Sequence, residues 1–273
     1  MPDMSLILLL LIIIGAVSLF AWPRYKLSRA IDEPFPATWR KILRQNFPVS
    51  RRMPTDLQLQ LKQGIKQFIH EKKFIGCAGF EITDEVRVTI AASACLLLLN
   101  RQSDVYYGLH YVLVYPNAFL VKREALDSAG LSNLQQRGVL GESWSNGKVI
   151  LSWEDVLQGN KDFTDGANVA LHEFAHQLDH ESGATNGAPF MGSAARSAQW
   201  ARVFTDEFQR LQKAAYHGDQ TLIDQYGATE PAEFFAVVTE TFFEQPKQMA
   251  IEHPALFREL KNYYKVDPSE WLH

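Results

Sequence analysis

Two histidines four residues apart, with a glutamate beside the first, are the residues of this 273-residue sequence whose spacing most directly indicates chemistry. His172-Glu173-Phe174-Ala175-His176 has the form HExxH. On a helix, residues four apart lie on one face, so both imidazoles can converge on a single Zn²⁺ ion. Glu173 is then placed to take a proton from a water molecule at the metal. The spacing predicts a zinc site with His172 and His176 as ligands and Glu173 as general base.

The residues around the motif predict an amphipathic helix that carries it. Apolar residues recur along one side at helical spacing, namely Ala167, Ala170, Leu171, Phe174, Ala175 and Leu178. Gly183 follows as a stop signal. Asp179 shares the side of the two histidines, where it can either orient an imidazole or cap local structure. The sequence does not separate these two roles.

A catalytic zinc ion needs a third protein ligand and one open position. His180 cannot supply it, because on a helix it lies about 12 Å along the axis from His172. Glu233 and Glu240 belong to a second predicted helix and lie about 10 Å apart on it, so only one of them can reach a given ion. Spacing favours Glu233. The alternatives are an acid favoured near a helix N-terminus for Glu233 and a solvated charge for Glu240.

Composition excludes several other classes of protein. Two cysteines, Cys77 and Cys95, rule out a disulfide framework and a four-cysteine zinc site. A formal net charge of -4 and a pI near 6.1 argue against direct nucleic-acid binding. Apolar residues make up 47% of the chain, which is enough for a substantial core.

The N-terminus carries an apolar segment of a different kind. Met4 to Trp22 contains no charged residue, and as a helix it would span about 28 Å, close to the hydrocarbon thickness of a bilayer. A cleaved signal peptide is the alternative, but the segment before the apolar run has Asp3 and no basic residue. We therefore expect residues 1–22 to form a single transmembrane anchor.

The charges after this segment predict the orientation of the chain. Between Arg24 and Arg52 there are eight basic and two acidic residues. Because basic residues are retained on the cytoplasmic side, we expect residues 23–52 to be a basic juxtamembrane linker and residues 53–273 to lie in the cytoplasm. The predicted location is thus the inner (cytoplasmic) membrane, and the same cluster would face anionic head groups. An ordinary solvated linker is the alternative.

The order of predicted elements in the C-terminal part is helices, a few strands, and then helices again. A helix is predicted from Thr55 through Ile69 and a buried one over Asp84–Leu99, while Tyr111–Tyr115 and Lys148–Trp153 are typical of strands. From about Asp165 onward the pattern is mainly helical. This order predicts an α+β domain, mainly helical with a small sheet.

Several stretches together resemble the Mlc titration factor A family of zinc metallopeptidases. They are HEFAHQLD (172–179), EPAEFFAVVTETFF (230–243), LSWED (151–155) and GLHYVLVYP (108–116), and the likeness extends from about residue 55 to 268. The family's catalytic domain is similar to that of anthrax lethal factor. The resemblance implies a zincin-like, gluzincin-type fold, with His172, His176 and Glu233 as zinc ligands and Glu173 as general base. It also implies a role for Tyr226, seven residues before Glu233, as a donor to the developing oxyanion, for which a packing tyrosine is the alternative.

Two features depart from the family. The described bacterial titration factor is cytosolic, whereas this chain begins with an apparent anchor. Some members also have a metal-contacting histidine before the Gly-Glu-Ser-Trp region, where this sequence has Asn133 and no histidine between His110 and His172.

We therefore predict a membrane-anchored zinc metallopeptidase that hydrolyses peptide bonds of a peptide or protein substrate. In the predicted mechanism, a zinc-activated water attacks the peptide bond and Glu173 is the general base. The alternative is a membrane-tethered regulatory protein that binds a transcription repressor or a sugar-uptake component.

Overall fold

The computed structural model describes most of the chain. The described residues are 4–101, 105–117, 119–126, 132–139, 141–144, 147–181 and 183–271. Side-chain positions in the three strands between residues 119 and 144 lie outside this description, and so does the side chain of Asn133. The predicted departure at Asn133 therefore stays a prediction.

Ten α-helices account for most of the described residues. They are α1 (Met4–Asp32), α2 (Ala37–Asn46), α3 (Thr55–Glu71), α4 (Asp84–Leu96), α5 (Trp153–Lys161), α6 (Val169–His180), α7 (Ala194–His217), α8 (Pro231–Glu244), α9 (Pro246–Glu252) and α10 (Pro254–Tyr264). Short 3-10 helices are formed by Pro48–Arg51, Gln225–Ala228 and Pro268–Glu270. The prediction of a mainly helical chain is confirmed.

Six strands within the described ranges form one small sheet and a separate hairpin. They are β1 (Lys73–Gly76), β2 (Tyr111–Tyr115), β3 (Phe119–Leu126), β4 (Ser132–Val139), β5 (Gly141–Trp144) and β6 (Lys148–Ser152). The sheet has the order β1-β2-β6-β5, in which the first three strands are parallel and β5 is antiparallel to β6. β3 and β4 pair with each other in an antiparallel hairpin.

The predicted elements differ from the observed ones mainly at their ends. The helix predicted over Asp84–Leu99 ends at Leu96, and the strand predicted to reach Trp153 ends at Ser152. The side chain of Ser152 accepts a hydrogen bond from the backbone N–H of Asp155 and caps α5. Ser152 is thus both the last residue of β6 and the cap of α5, so the helix begins at Trp153, which the apolar pattern assigns to the strand.

The apolar faces of the helices meet in one core around the sheet. Leu57, Leu61, Ile65 and Phe68 recur at helical spacing on α3 and are buried. The buried helix α4 packs against α3 and also contacts α6, so that α6 lies between α4 and the strands β5 and β6. The metal motif is thus carried by a helix that is enclosed by other elements.

The N-terminal helix α1 has 29 residues. No helix within the described residues is both long enough and apolar enough to cross a bilayer, which leaves the transmembrane helix predicted over Met4–Trp22 without support. α1 also does not end with the apolar run, because it continues through basic residues to Asp32. The ammonium group of Lys66 on α3 donates to the carbonyl oxygens of Ile31 and Glu33 at this end.

The residues predicted as a linker, 23–52, are largely helical. α1 extends through the first ten of them, and α2 follows. Phe35, Leu43 and Phe47 are buried in the domain core, because α2 packs against α4. The division of the chain into domains stays a prediction, but these apolar residues are part of the folded body.

Candidate metal centre

Packing on its apolar side fixes the position of α6. Asn168 caps the helix, since its side-chain oxygen accepts a hydrogen bond from the backbone N–H of Leu171 at 3.2 Å. The ring of Phe174 packs against those of Phe68 and Tyr106, with centroid separations of 5.7 and 5.2 Å. These contacts turn the side of α6 that carries the two histidines towards α8.

α8 is held from its other side by α7. Pro231 occupies its first turn, where a missing backbone N–H costs nothing. Phe234 packs against Phe204 at 5.6 Å, and Phe235 packs against Trp200 at 5.8 Å between ring centroids. Since these phenylalanines point to α7, the preceding residue, Glu233, is directed towards the histidines of α6.

Three ligand atoms from these two helices come together. The Nε2 atom of His172 lies 3.2 Å from that of His176, and Oε2 of Glu233 lies 3.0 Å from the first and 3.4 Å from the second. His172, His176 and Glu233 are the one group of potential metal ligands that the described residues bring together in this way. The structure thus assembles the three residues that the sequence proposed, and it leaves Glu240 out of the ligand group.

The dimensions of this group fit a zinc ion. Zinc binds histidine nitrogen and carboxylate oxygen at about 2.0–2.2 Å, so neighbouring atoms of a tetrahedral site lie about 3.3 Å apart. The three observed separations, 3.0, 3.2 and 3.4 Å, lie around this value. With three protein ligands, a tetrahedral ion keeps one position open, which is the arrangement of catalytic rather than structural zinc sites.

Glu173 lies beside the three-residue ligand group, and one of its carboxylate oxygens accepts no hydrogen bond from the described residues. Its Oε2 atom is buried and has no hydrogen-bond partner among the described residues, and the whole residue is only 4% exposed. A buried carboxylate oxygen without a donor is costly unless a ligand or water completes it. Burial raises the pKa of Glu173 to about 7, against the opposing charges of His172 and His176. A carboxylate with this pKa can both accept and return a proton near neutral pH.

The charges within the group favour an ionised third ligand. Burial acts to raise the pKa of Glu233, but its contacts with His172 and His176 outweigh that effect and lower the pKa below its usual range. Burial acts to lower the pKa of His172. The carboxylates of Glu240 and Glu233 outweigh this effect, so the pKa of His172 is raised. Glu233 is therefore ionised, as a metal ligand must be.

The structure places Glu240 in neither of the two positions that the sequence left open for it. It is neither a metal ligand nor a solvated charge, because it is 7% exposed and its Oε1 atom lies 2.7 Å from Nδ1 of His172. Nδ1 is the ring nitrogen that faces away from the ligand group. Helical spacing identifies which acids share a side of α8, but it does not show which ring atom each of them meets.

Tyr226 lies near the group on the 3-10 helix Gln225–Ala228. The backbone N–H of Tyr226 donates to the side chain of Asp224 at 2.7 Å, which holds this turn. The ring of Tyr226 is 44% exposed, and its centroid lies 6.1 Å from that of His172. This distance leaves the tyrosine at the rim of the group.

Asp179 is placed for a structural role. One of its carboxylate oxygens accepts the backbone N–H of Gly187 at 2.6 Å, in the loop that follows α6. Nδ1 of His176 donates no hydrogen bond to it, since that atom is buried without a partner among the described residues. Of the two roles left open by the sequence, the geometry supports the capping of local structure. His180 is also outside the group and contacts Thr185 at 3.3 Å.

Sequence reasoning missed two polar residues near the centre. Asn168 and Glu244 are buried and joined by a hydrogen bond of 3.0 Å between Nδ2 and Oε1. Asparagine just before a helical apolar pattern is a recognised N-cap signal, so the sequence pattern alone could have identified Asn168 as the cap of α6. Glu244 carries no such signal, because a glutamate near the end of a helix is ordinarily solvent-exposed.

Comparison with known proteins adds a family match. Residues 20–265 match the family model described as glucose-regulated metallo-peptidase M90. An uncharacterised protein of Synechocystis sp. is 38% identical over 248 residues, which cover 90% of each chain. Proteins named Mlc titration factor A from Enterobacter sp. and Klebsiella pneumoniae are 34% and 33% identical over 254 and 255 residues, in each case 92% of this chain and 93% of the relative.

Proposed function

The chain belongs to the glucose-regulated metallopeptidase M90 family, and on this premise we propose that it is a zinc-dependent peptidase that hydrolyses peptide bonds in a peptide or protein substrate. The observation that carries this proposal is the convergence of His172, His176 and Glu233 beside Glu173, one of whose carboxylate oxygens has no partner among the residues that the structure describes. A structural zinc site would need a fourth protein ligand, and the ligand group among the described residues has three.

His172, His176 and Glu233 would hold the zinc ion. When bound, zinc lowers the pKa of water and polarises a carbonyl group. Glu173 accepts the proton from the attacking water and passes it to the leaving amine, for which its pKa of about 7 is suited. Tyr226 donates a hydrogen bond to the carbonyl oxygen as negative charge develops there. The 44% exposure of Tyr226 supports this role, because a substrate can approach its side chain.

The test is hydrolysis of a peptide library by the full chain loaded with one equivalent of zinc, with Glu173→Gln as the variant. We expect cleavage by the wild type and a rate lower by about 10²–10⁴-fold in Glu173→Gln, with its zinc content unchanged. Glu259→Gln is a matched control, since Glu259 is buried on α10 outside the ligand group. Full activity of Glu173→Gln would contradict the mechanism.

A regulatory function is the second candidate. The name of the Enterobacter and Klebsiella relatives, Mlc titration factor A, favours it. If this chain also acts by binding a transcription regulator, binding to purified Mlc should persist in Glu173→Gln, because sequestration needs no proton transfer. Loss of peptidase activity with retained Mlc binding would assign both functions to one chain. A chain that binds Mlc but cleaves no peptide would support the regulatory function alone.

We also propose that the N-terminal helix holds the catalytic domain at the cytoplasmic face of the inner membrane. α1 exposes apolar side chains at Leu8, Leu9, Ile12, Ile13, Ile14 and Trp22. The eight basic residues between Arg24 and Arg52 favour contact with anionic lipid. Cell fractionation tests this location. The full chain should remain with membranes after a high-salt wash, whereas a chain lacking residues 1–22 should be released. Release of the full chain by salt alone would overturn it.

A further inference from the structure

A second buried polar cluster joins the beginning of α6 to the last turns of α8. Its members are Asn160, Asn168, Glu240 and Glu244, each of which is less than 9% exposed. Four buried polar side chains lower the stability of the folded protein unless their hydrogen bonds are satisfied. We call these four residues the α6–α8 cluster.

Asn168 is the centre of the α6–α8 cluster. While its side-chain oxygen caps α6, its Nδ2 atom donates to Oε1 of Glu244 at 3.0 Å and to Oδ1 of Asn160 at 3.3 Å. Its backbone N–H donates to Oε2 of Glu240. The other oxygen of Glu244 accepts the backbone N–H of Gly166 at 2.9 Å. Asn168 therefore fixes the two glutamates of α8 against the N-terminus of the helix that carries the metal motif.

Only one oxygen of Glu240 is used within this cluster. The other, Oε1, lies 2.7 Å from Nδ1 of His172. A histidine that binds a metal ion through Nε2 carries its proton on Nδ1, and Oε1 of Glu240 is placed to accept a hydrogen bond from that N–H. His176 has no equivalent support, because its Nδ1 atom is buried without a hydrogen-bond partner among the described residues. The two histidine ligands are thus held unequally.

We propose that Glu240 is a positioning residue for metal binding and that Asn168 holds its carboxylate in place. Glu240 acts through His172, whose ring it orients so that Nε2 faces the ligand group. This role depends on the proposed metal site but not on peptide hydrolysis. A carboxylate that supports a ligating histidine in this way typically raises metal affinity by about 10–100-fold.

The test measures zinc affinity of the full chain by competition with a chromophoric chelator, alongside thermal unfolding of the metal-free protein. We expect Glu240→Gln to bind zinc about 10–100-fold more weakly than the wild type, and the visible spectrum of its cobalt(II) form to be shifted. If Glu240→Gln does not fold, Glu240→Asp keeps the carboxylate but shortens its reach to Nδ1, and the same loss of affinity is expected. Glu259→Gln is the control, because Glu259 is similarly buried and accepts a hydrogen bond from Gln199 at 3.2 Å outside the site.

Two results would overturn the role of Glu240. One is zinc affinity within twofold of the wild type. The other is a lowered unfolding temperature of the metal-free variant with unchanged zinc affinity and an unchanged cobalt spectrum, which would mark Glu240 as purely structural. A wild type that binds zinc but cleaves no peptide contradicts the proposed peptidase and leaves Glu240 as the positioning residue. A wild type that binds no zinc overturns both.

Discussion

Glu233 and Glu240 contact opposite ring nitrogens of His172, one from each end of the same imidazole. Oε2 of Glu233 lies 3.0 Å from Nε2, and Oε1 of Glu240 lies 2.7 Å from Nδ1. The two glutamates are seven residues apart on α8, which places them about two turns apart on one side of the helix. Two carboxylates of identical chemistry therefore have different surroundings, one in the ligand group and one behind it.

Glu233→Gln should abolish tight zinc binding. The substitution removes the anionic ligand and leaves two imidazoles, so we expect zinc affinity to fall by at least about 100-fold. Metal content after dialysis against a chelator measures this effect. Glu230→Gln, at the residue just before α8, is the control, because Glu230 is exposed and its side chain makes no capping hydrogen bond. Retained stoichiometric zinc in Glu233→Gln would exclude Glu233 as the third ligand.

Tyr226→Phe should lower kcat without affecting zinc content. Removal of one hydrogen-bond donor to a developing oxyanion costs about 10²–10³ in kcat. KM should change little, because the lost interaction forms mainly in the transition state. Steady-state kinetics on a cleaved peptide provide the measurement, with Tyr216→Phe, at an exposed tyrosine of α7, as the control. An unchanged kcat would assign Tyr226 to packing.

Gly187→Ala should destabilise the protein more than Gly192→Ala does. Both glycines have positive φ, +75° and +79°, so alanine is strained by about 1 kcal/mol at either position. A Cβ atom at Gly187 would lie 2.3 Å from the carbonyl oxygen of Pro231, whereas one at Gly192 would meet nothing within 4 Å. The clash should add about 1–3 kcal/mol to the loss of unfolding free energy in Gly187→Ala.

Urea unfolding of the two glycine variants measures the difference. Pro231 begins α8 two residues before Glu233, so a shift there should also weaken zinc binding in Gly187→Ala alone. Equal losses of unfolding free energy in the two variants would show that the loop accommodates the extra methyl group by moving away from α8.

Glu244→Gln should gain stability relative to the wild type as the pH rises. Burial raises the pKa of Glu244 to about 9, whereas in the unfolded chain it titrates near 4.5. Between these values the native carboxyl keeps a proton that the unfolded one has lost, so the stabilising contribution is present below pH 4.5 and is lost as the pH rises towards 9. Glutamine does not titrate, so this loss is absent from the variant.

Urea unfolding of wild type and Glu244→Gln at pH 5, 7 and 9, with metal chelated, measures this pH dependence. The difference in unfolding free energy should move in favour of the variant by a few kcal/mol between pH 5 and 9, at about 1.4 kcal/mol for each pH unit. Glu230→Gln, at an exposed position, is the control for the loss of one carboxylate from the surface. A difference that does not vary with pH would mean that Glu244 titrates normally.

Local patterns predicted much of the scaffold and part of the site. The helical spacing from Leu57 to Phe68 predicted α3, and Tyr111–Tyr115 predicted β2. The family resemblance carried by HEFAHQLD and the PAE stretch is confirmed by the match over residues 20–265. The transmembrane helix predicted over Met4–Trp22 is without support, and the helix observed there continues through basic residues to Asp32, a boundary that a hydropathy pattern does not record.

The sequence by itself determined that His172 and His176 share one helical face, because the 3.6-residue period of the backbone fixes that relationship locally. It also determined that Glu173 lies beside them. Only the tertiary structure decided between Glu233 and Glu240, since that choice depends on how α8 docks on α6 between the aromatic contacts of Phe174 and Phe235. It likewise decided that Asn168 and Glu240 meet, because 72 residues separate them along the chain and only the packing of the two helices brings them together.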